Sequence, residues 1–134
     1  MMNRLRFLFL GTMALLVSCA AISEKSRMDR FSDISENYKF ALLRADYHLA
    51  SSFVDPSERN TIDPNRMKEI KIVDYKPNRI NLSEDKSQIK QDIELQYFLM
   101  GRNLLRSLQY QQVWQYQEES KMWLLKTDLP PLVP

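Results

Sequence analysis

Apolar and polar positions alternate most regularly between residues 89 and 114, and that alternation predicts the central element of the chain. Ile89, Gln91, Ile93, Leu95, Tyr97 and Leu99 share one face of an extended strand, while Lys90, Asp92, Glu94, Gln96 and Phe98 share the other. Gly101 follows, one of only two glycines in the sequence. Gly101-Arg102 suits a two-residue type II′ turn, which takes glycine first because φ is positive there. Such a turn sets Leu99 against Leu104, Tyr97 against Arg106, Leu95 against Leu108, Ile93 against Tyr110, Gln91 against Gln112 and Ile89 against Trp114. On the outer face Glu94 then meets Gln109 and Asp92 meets Gln111, polar on polar. A slip of one residue would turn every side chain to the wrong face.

Upstream the period changes from two to three and four. Phe31, Ile34, Tyr38, Ala41, Leu42, Ala45, Leu49 and Phe53 recur at helical spacing, with Ser32 or Asp33 as cap and Glu36 three positions beyond Asp33. A second stripe, Phe40, Leu43, Tyr47, Ala50 and Val54, begins midway, so the second half is covered on two sides. Two readings stand: one helix over 31–53, or a break near Arg44-Ala45-Asp46 with Asp46 capping a short second helix. Asp55-Pro56 ends the helical stretch, because a residue before proline avoids the helical region.

Residues 55 to 66 read as a loop. A strand follows with Ile70, Ile72, Val73 and Tyr75; Pro77 interrupts it, implying an edge position or a bulge, and Ile80 and Leu82 continue it. Ser83–Ser87 and Glu118–Lys121 are polar turns. Met122–Lys126 is the closing strand, with Trp123 and Leu125 facing inward. Leu129-Pro130-Pro131-Leu132-Val133-Pro134 reads as an extended tail. The prediction is an α+β fold: an N-terminal helix packed on a curved four-stranded antiparallel meander.

The N-terminus carries a different signal. Arg4 and Arg6 precede an apolar run from Phe7 to Val17, which is too short for a membrane span of about 20 residues and fits the core of an export signal. It leads into Leu16-Val17-Ser18-Cys19, which resembles the bacterial lipoprotein signal. The resemblance implies cleavage before Cys19, the only cysteine, and a diacylglycerol on its thiol. Two or three acyl chains anchor stably, at about 0.8 kcal/mol per buried methylene. Ala20, rather than Asp, after the cysteine resembles the pattern of lipoproteins sent to the outer membrane, facing the periplasm, in preference to the inner membrane. The expected organisation is a signal peptide over 1–18, a lipidated tether over 19–30, one domain over 31–129 and a proline-rich tail over 130–134.

Removal of that signal takes Arg4 and Arg6 with it and leaves 17 basic against 17 acidic residues. A neutral domain weakens a nucleic-acid reading, which wants a basic stripe. One cysteine and one histidine exclude a zinc cluster, a disulfide framework and a Cys–His pair in the domain. No cofactor and no metal is implied.

The helical stretch Phe40-Ala41-Leu42-Leu43-Arg44-Ala45-Asp46-Tyr47 leading to Phe53-Val54-Asp55-Pro56 is one half of a further pattern. Val113-Trp114-Gln115-Tyr116, followed by Trp123-Leu124-Leu125 and Leu129-Pro130, is the other. Together they resemble small bacterial lipoproteins with a cystatin-like α+β cone, the fold of the nuclear transport factor 2-like superfamily, over residues 30 to 130. That superfamily spans enzymes, ligand carriers and partner-binding modules. Its enzymes use an acidic base or a His–Asp pair inside the cone, and no position here matches such a motif.

The expected role is therefore a lipid-anchored envelope protein that binds without catalysis, with an envelope protein or a second copy as partner. The alternative is a small-ligand carrier, or a small hydrolase or isomerase using the cone. Arg106, Tyr97, Gln91, Gln112 and Tyr110 share the predicted inner face, where they would orient a polar or anionic ligand; against this, Arg106 would lie at the rim with its stem on Tyr97. Phe98, Met100 and Leu105 break the polar pattern of the outer face and would contact a partner or lie under the tail. An enzyme reading rests on a buried carboxylate, for which Asp74 and Asp46 are the candidates. His48 has no partner at helical spacing. Lys68, Lys71, Lys76 and Arg79 read as edge protection.

Overall fold

The computed structural model describes residues 2–59 and 62–132, with side chains from Ser23 onward. Helix α1 (Met2–Leu43) and the short helix α2 (Tyr47–Ser52) precede two 3₁₀ turns, Pro56–Glu58 and Pro64–Met67. Four strands follow: β1 (Ile70–Leu82), β2 (Gln88–Leu99), β3 (Leu104–Gln117) and β4 (Met122–Leu125). They form one antiparallel sheet in sequence order, so the α+β arrangement of helix and four-stranded meander is observed.

Of the two helical readings, the break is the one found. Asp46 N donates to Ala41 O at 2.9 Å and Ala45 N to Leu42 O at 3.0 Å. Those paired bonds close a helix when the residue between turns left-handed, and Ala45 does so at φ 58. The Asp46 carboxylate then caps α2, accepting from Leu49 N at 3.1 Å. The break shifts the helical phase. Before it the first apolar stripe is buried (Phe31, Tyr38, Ala41, Leu42); after it the second is (Tyr47, Ala50, Val54), and Leu49, expected in the core, is exposed.

The helix also reaches further toward the N-terminus than the period that begins at Phe31. Within the stretch read as a tether, Arg27 and Arg30 meet the sheet. The Arg27 carbonyl accepts from Trp123 Nε1 at 2.9 Å, and its guanidinium lies over the Tyr116 ring and pairs with Glu118 at 2.7 Å. Arg30 donates to Lys121 O at 2.8 Å. Polar contacts of this kind leave no apolar period to read. Cys19 and the rest of the export signal lie outside the described side chains, as do Val133 and Pro134.

The central hairpin has the register that alternation predicts, from Leu99↔Leu104 to Ile89↔Trp114. Its turn differs. The connection is Met100–Asn103, and the residue at positive φ is Asn103 (52°); Gly101 is not. A four-residue loop and a two-residue loop with the same centre give the same pairing, so the register survives the change of turn. Asparagine tolerates the left-handed region and a β-branched residue does not. Asn103→Val is therefore expected to cost about 1 kcal/mol or more, while Gly101→Ala, whose new Cβ would meet only the end of the Glu69 side chain at 3.2 Å, stays near the wild type. Thermal melts of the two variants check this, and the reverse order would return the critical position to Gly101.

Pro77 lies on the edge strand beside a bulge, as expected. The β1–β2 ladder shifts register between Ile72 and Asp74 and again between Pro77 and Arg79. The first shift turns Tyr75 inward, where it is buried, and leaves Val73 half exposed. Helix and sheet enclose an aromatic core in which Trp114 and Trp123 are nearly fully buried. Phe31 packs edge-on against both, at 5.9 and 5.5 Å, and Tyr38 against Trp114 at 5.6 Å. The loop after α2 is fastened to β4: Asp55 N donates to Leu125 O, and Lys126 Nζ donates to the Asp55 carboxylate at 2.8 Å. That ammonium, with the Ser57 amide and hydroxyl, holds Asp55 well below the usual carboxylate range.

Candidate functional site

The inner-face residues divide into two groups. Gln112 on β3 is fully buried, and the donors around it fix its orientation. Trp114 Nε1, which can only donate, bonds to Gln112 Oε1 at 3.1 Å. The amide nitrogen must then face the other way, and it donates to Tyr75 Oη at 2.9 Å and Tyr110 Oη at 2.6 Å. Gln91 lies opposite Gln112 in the ladder and is also buried. Its Oε1 has no hydrogen-bond partner among the described residues. Burial pushes the phenols of Tyr38, Tyr75 and Tyr110 well up, so each stays protonated across the physiological range.

Arg106 and Tyr97 face each other nearer the hairpin turn. Six residues of strand, about 20 Å, separate Arg106 from Gln112, so the five predicted ligand-binding residues do not converge on one point. Tyr97 is buried and Arg106 half-buried. The member that sequence reasoning missed is Tyr75. Strict alternation from Ile70 and Ile72 points Asp74 inward, and only the bulge at Val73 brings Tyr75 to the Gln112 amide.

On the outer face Phe98 stands opposite Leu105, with Met100 at the start of the turn. Phe98 is half-buried, whereas Met100 and Leu105 are 53% and 56% exposed. The first residue of the tail goes elsewhere: Leu129 is buried in the core, and Asp128 before it accepts from Ile62 N at 3.1 Å. A polar depression of about 560 Å³ on the sheet is bordered by Asn78, Arg79, Asp92, Gln109 and Gln111, and by Ile93 and the predicted ligand-binding residue Tyr110.

The acid–base candidates are occupied locally. Asp46 caps α2, and Asp74 accepts from Tyr75 N at 3.0 Å with its side chain 44% exposed. His48 is exposed and bonded to Asn65 Oδ1 at 3.0 Å. Among the described residues no group of three His, Cys, Asp or Glu could hold a metal ion, and no helix is long and apolar enough to cross a membrane. No family model, curated protein or solved structure matches the chain.

Proposed function

We propose that this chain is a lipid-anchored protein of the bacterial envelope, held by acyl chains on Cys19 and acting as a non-catalytic interaction module on a cystatin-like scaffold. The observation that carries the non-catalytic part is the filled inner face. The space that a substrate or carried ligand would occupy in a cone is taken by Trp114, Trp123, Leu95 and Tyr38, all buried. Among the polar groups of that face, Gln112 is bonded to Trp114, Tyr75 and Tyr110. Anchoring is supported by the sequence: two arginines, an apolar run and the only cysteine directly after it. Ala20 favours the outer membrane, with the domain facing the periplasm. Surface residues, not an interior pocket, then make the functional contacts, and Met100 and Leu105 are the exposed apolar candidates.

Cys19→Ala tests the anchor. Cells fed labelled palmitate are expected to label the wild-type chain and leave the variant unlabelled, as uncleaved precursor or soluble product. Label persisting in the variant would overturn the lipoprotein reading.

A further inference from the structure

The two open edges of the sheet are built differently. β1 is guarded by Lys71, Lys76 and Arg79, by Pro77 and by two register shifts, all of which oppose pairing with another strand. β3 has a single basic residue, Arg106, with no proline and no register shift. Its ladder with β2 runs without a shift from Leu104 to Gln115, and β4 covers only its last part, from Trp114 to Gln117. Beyond that, Lys126 N donates to Val113 O at 2.7 Å. On this side of β3 no backbone hydrogen bond among the described residues reaches the amides and carbonyls of residues 105, 107, 109 and 111.

The direction of the free groups follows from two bonds. Tyr116 N donates to Ser87 O, toward the β2 side, while Val113 O accepts from Lys126 on the opposite side. Backbone groups alternate along a strand, so the amides and carbonyls of residues 105, 107, 109 and 111 point to the open edge. Leu104 and Leu105, at the start of this row, are exposed. Arg106 is its only charge.

We propose that this edge pairs antiparallel with the same edge of a second copy, about a two-fold axis at Ser107. The row itself selects the register. An axis at Arg106 would set the two arginines against each other. An axis at Leu108 or beyond would drive Leu104 of the copy to Gln112 and the preceding residue to Val113, where Lys126 already sits. The axis at Ser107 sets Leu104 against Tyr110 and Leu105 against Gln109, and lays the Arg106 stem along Leu108. It forms about six backbone hydrogen bonds with no like charges opposed. Self-complementarity of this kind is what an isologous interface requires, and it favours a second copy over an unrelated strand. The pairing deepens the interaction-module reading and rests on it for its role, though not for its geometry.

Cysteine crosslinking of the full chain in membranes tests the axis. Ser107→Cys places two thiols on residues about 5.5 Å apart at Cα, within disulfide reach. In Gln109→Cys the thiols of the two copies lie about 14 Å apart along the strand. A mild oxidant is expected to dimerise the first and not the second, with the wild-type chain, whose only cysteine carries the lipid, as the uncrosslinked control. Adding Gln109→Pro to Ser107→Cys removes an edge amide without touching the β2 ladder, and is expected to abolish the crosslink. The wild-type chain in detergent should sediment at twice its mass. A single-copy mass, or equal crosslinking at 107 and 109, would overturn the pairing. Palmitate labelling of the same cells reports separately on the anchor.

Discussion

Trp114→Ala is expected to destabilise the domain by about 3–5 kcal/mol, the usual cost of emptying a fully buried aromatic site. Trp114 joins the helix to the sheet. Its ring meets Phe31 and Tyr38 from α1 edge-on, and its indole nitrogen holds Gln112. It also stands in the ladder between Ile89 and Leu125. Truncation therefore removes contacts to the helix and both neighbouring strands at once, and the close-packed surroundings relax only in part. Against a total stability of about 5–15 kcal/mol, such a loss leaves little reserve, and the melting temperature should fall by about 15 °C or more. Met122→Ala on β4, where the side chain is 52% exposed, is expected to change stability by no more than about 0.5 kcal/mol. Denaturant titrations of both variants check the contrast. A Trp114→Ala loss below about 1 kcal/mol would mean that the helix does not close over the sheet as described.

The parts of this fold that were legible in the sequence are those governed by a repeating burial pattern. The β2–β3 ladder is the clearest case: a period of two on each side, one turn between, and an apolar or polar match at most rungs. The helix break was legible as one of two alternatives, because a second stripe that begins midway fits either a helix covered on two sides or one that breaks and turns. What fixed the choice was backbone geometry at Ala45, a residue with no preference for the left-handed conformation. Three features were illegible for related reasons. Gly101 attracted the turn because glycine is the usual bearer of positive φ, yet the loop placed that conformation on Asn103. Tyr75 was hidden by a bulge, since one extra residue inverts the assignments that follow until a second shift after Pro77 restores them. Arg27 and Arg30 dock through a ring face, a carboxylate and a carbonyl, which leave no hydrophobic period. The candidate site divided in the same way. Alternation put Arg106, Tyr97, Gln91, Gln112 and Tyr110 on one face correctly, but a shared face of a long strand is not a shared point in space.

The second large effect is expected at Gln112, where a single side chain serves three partners, Trp114 and Tyr75 buried and Tyr110 half-buried. Gln112→Leu keeps the approximate volume and removes every hydrogen bond. Trp114 Nε1 then has no acceptor, and the hydroxyls of Tyr75 and Tyr110 lose their donor. Each buried group left without a partner costs about 1–3 kcal/mol, and the two tyrosines recover part of this by reorienting their hydroxyls, so a total of about 2–4 kcal/mol is expected. The prediction can be separated from a simple packing defect. Tyr75→Phe in the wild-type chain removes one hydroxyl that Gln112 satisfies and should cost about 1 kcal/mol. In the Gln112→Leu background the same change removes a hydroxyl that has already lost its donor, and should cost nothing or restore some stability. The coupling between the two substitutions, read from denaturant midpoints of the four proteins, then reports the bond itself. Additive losses would show that Gln112 and Tyr75 are merely neighbours. A strong coupling would establish the network as the element that pins β1 to β3 across the inner face, in the position where a ligand-binding fold would leave space.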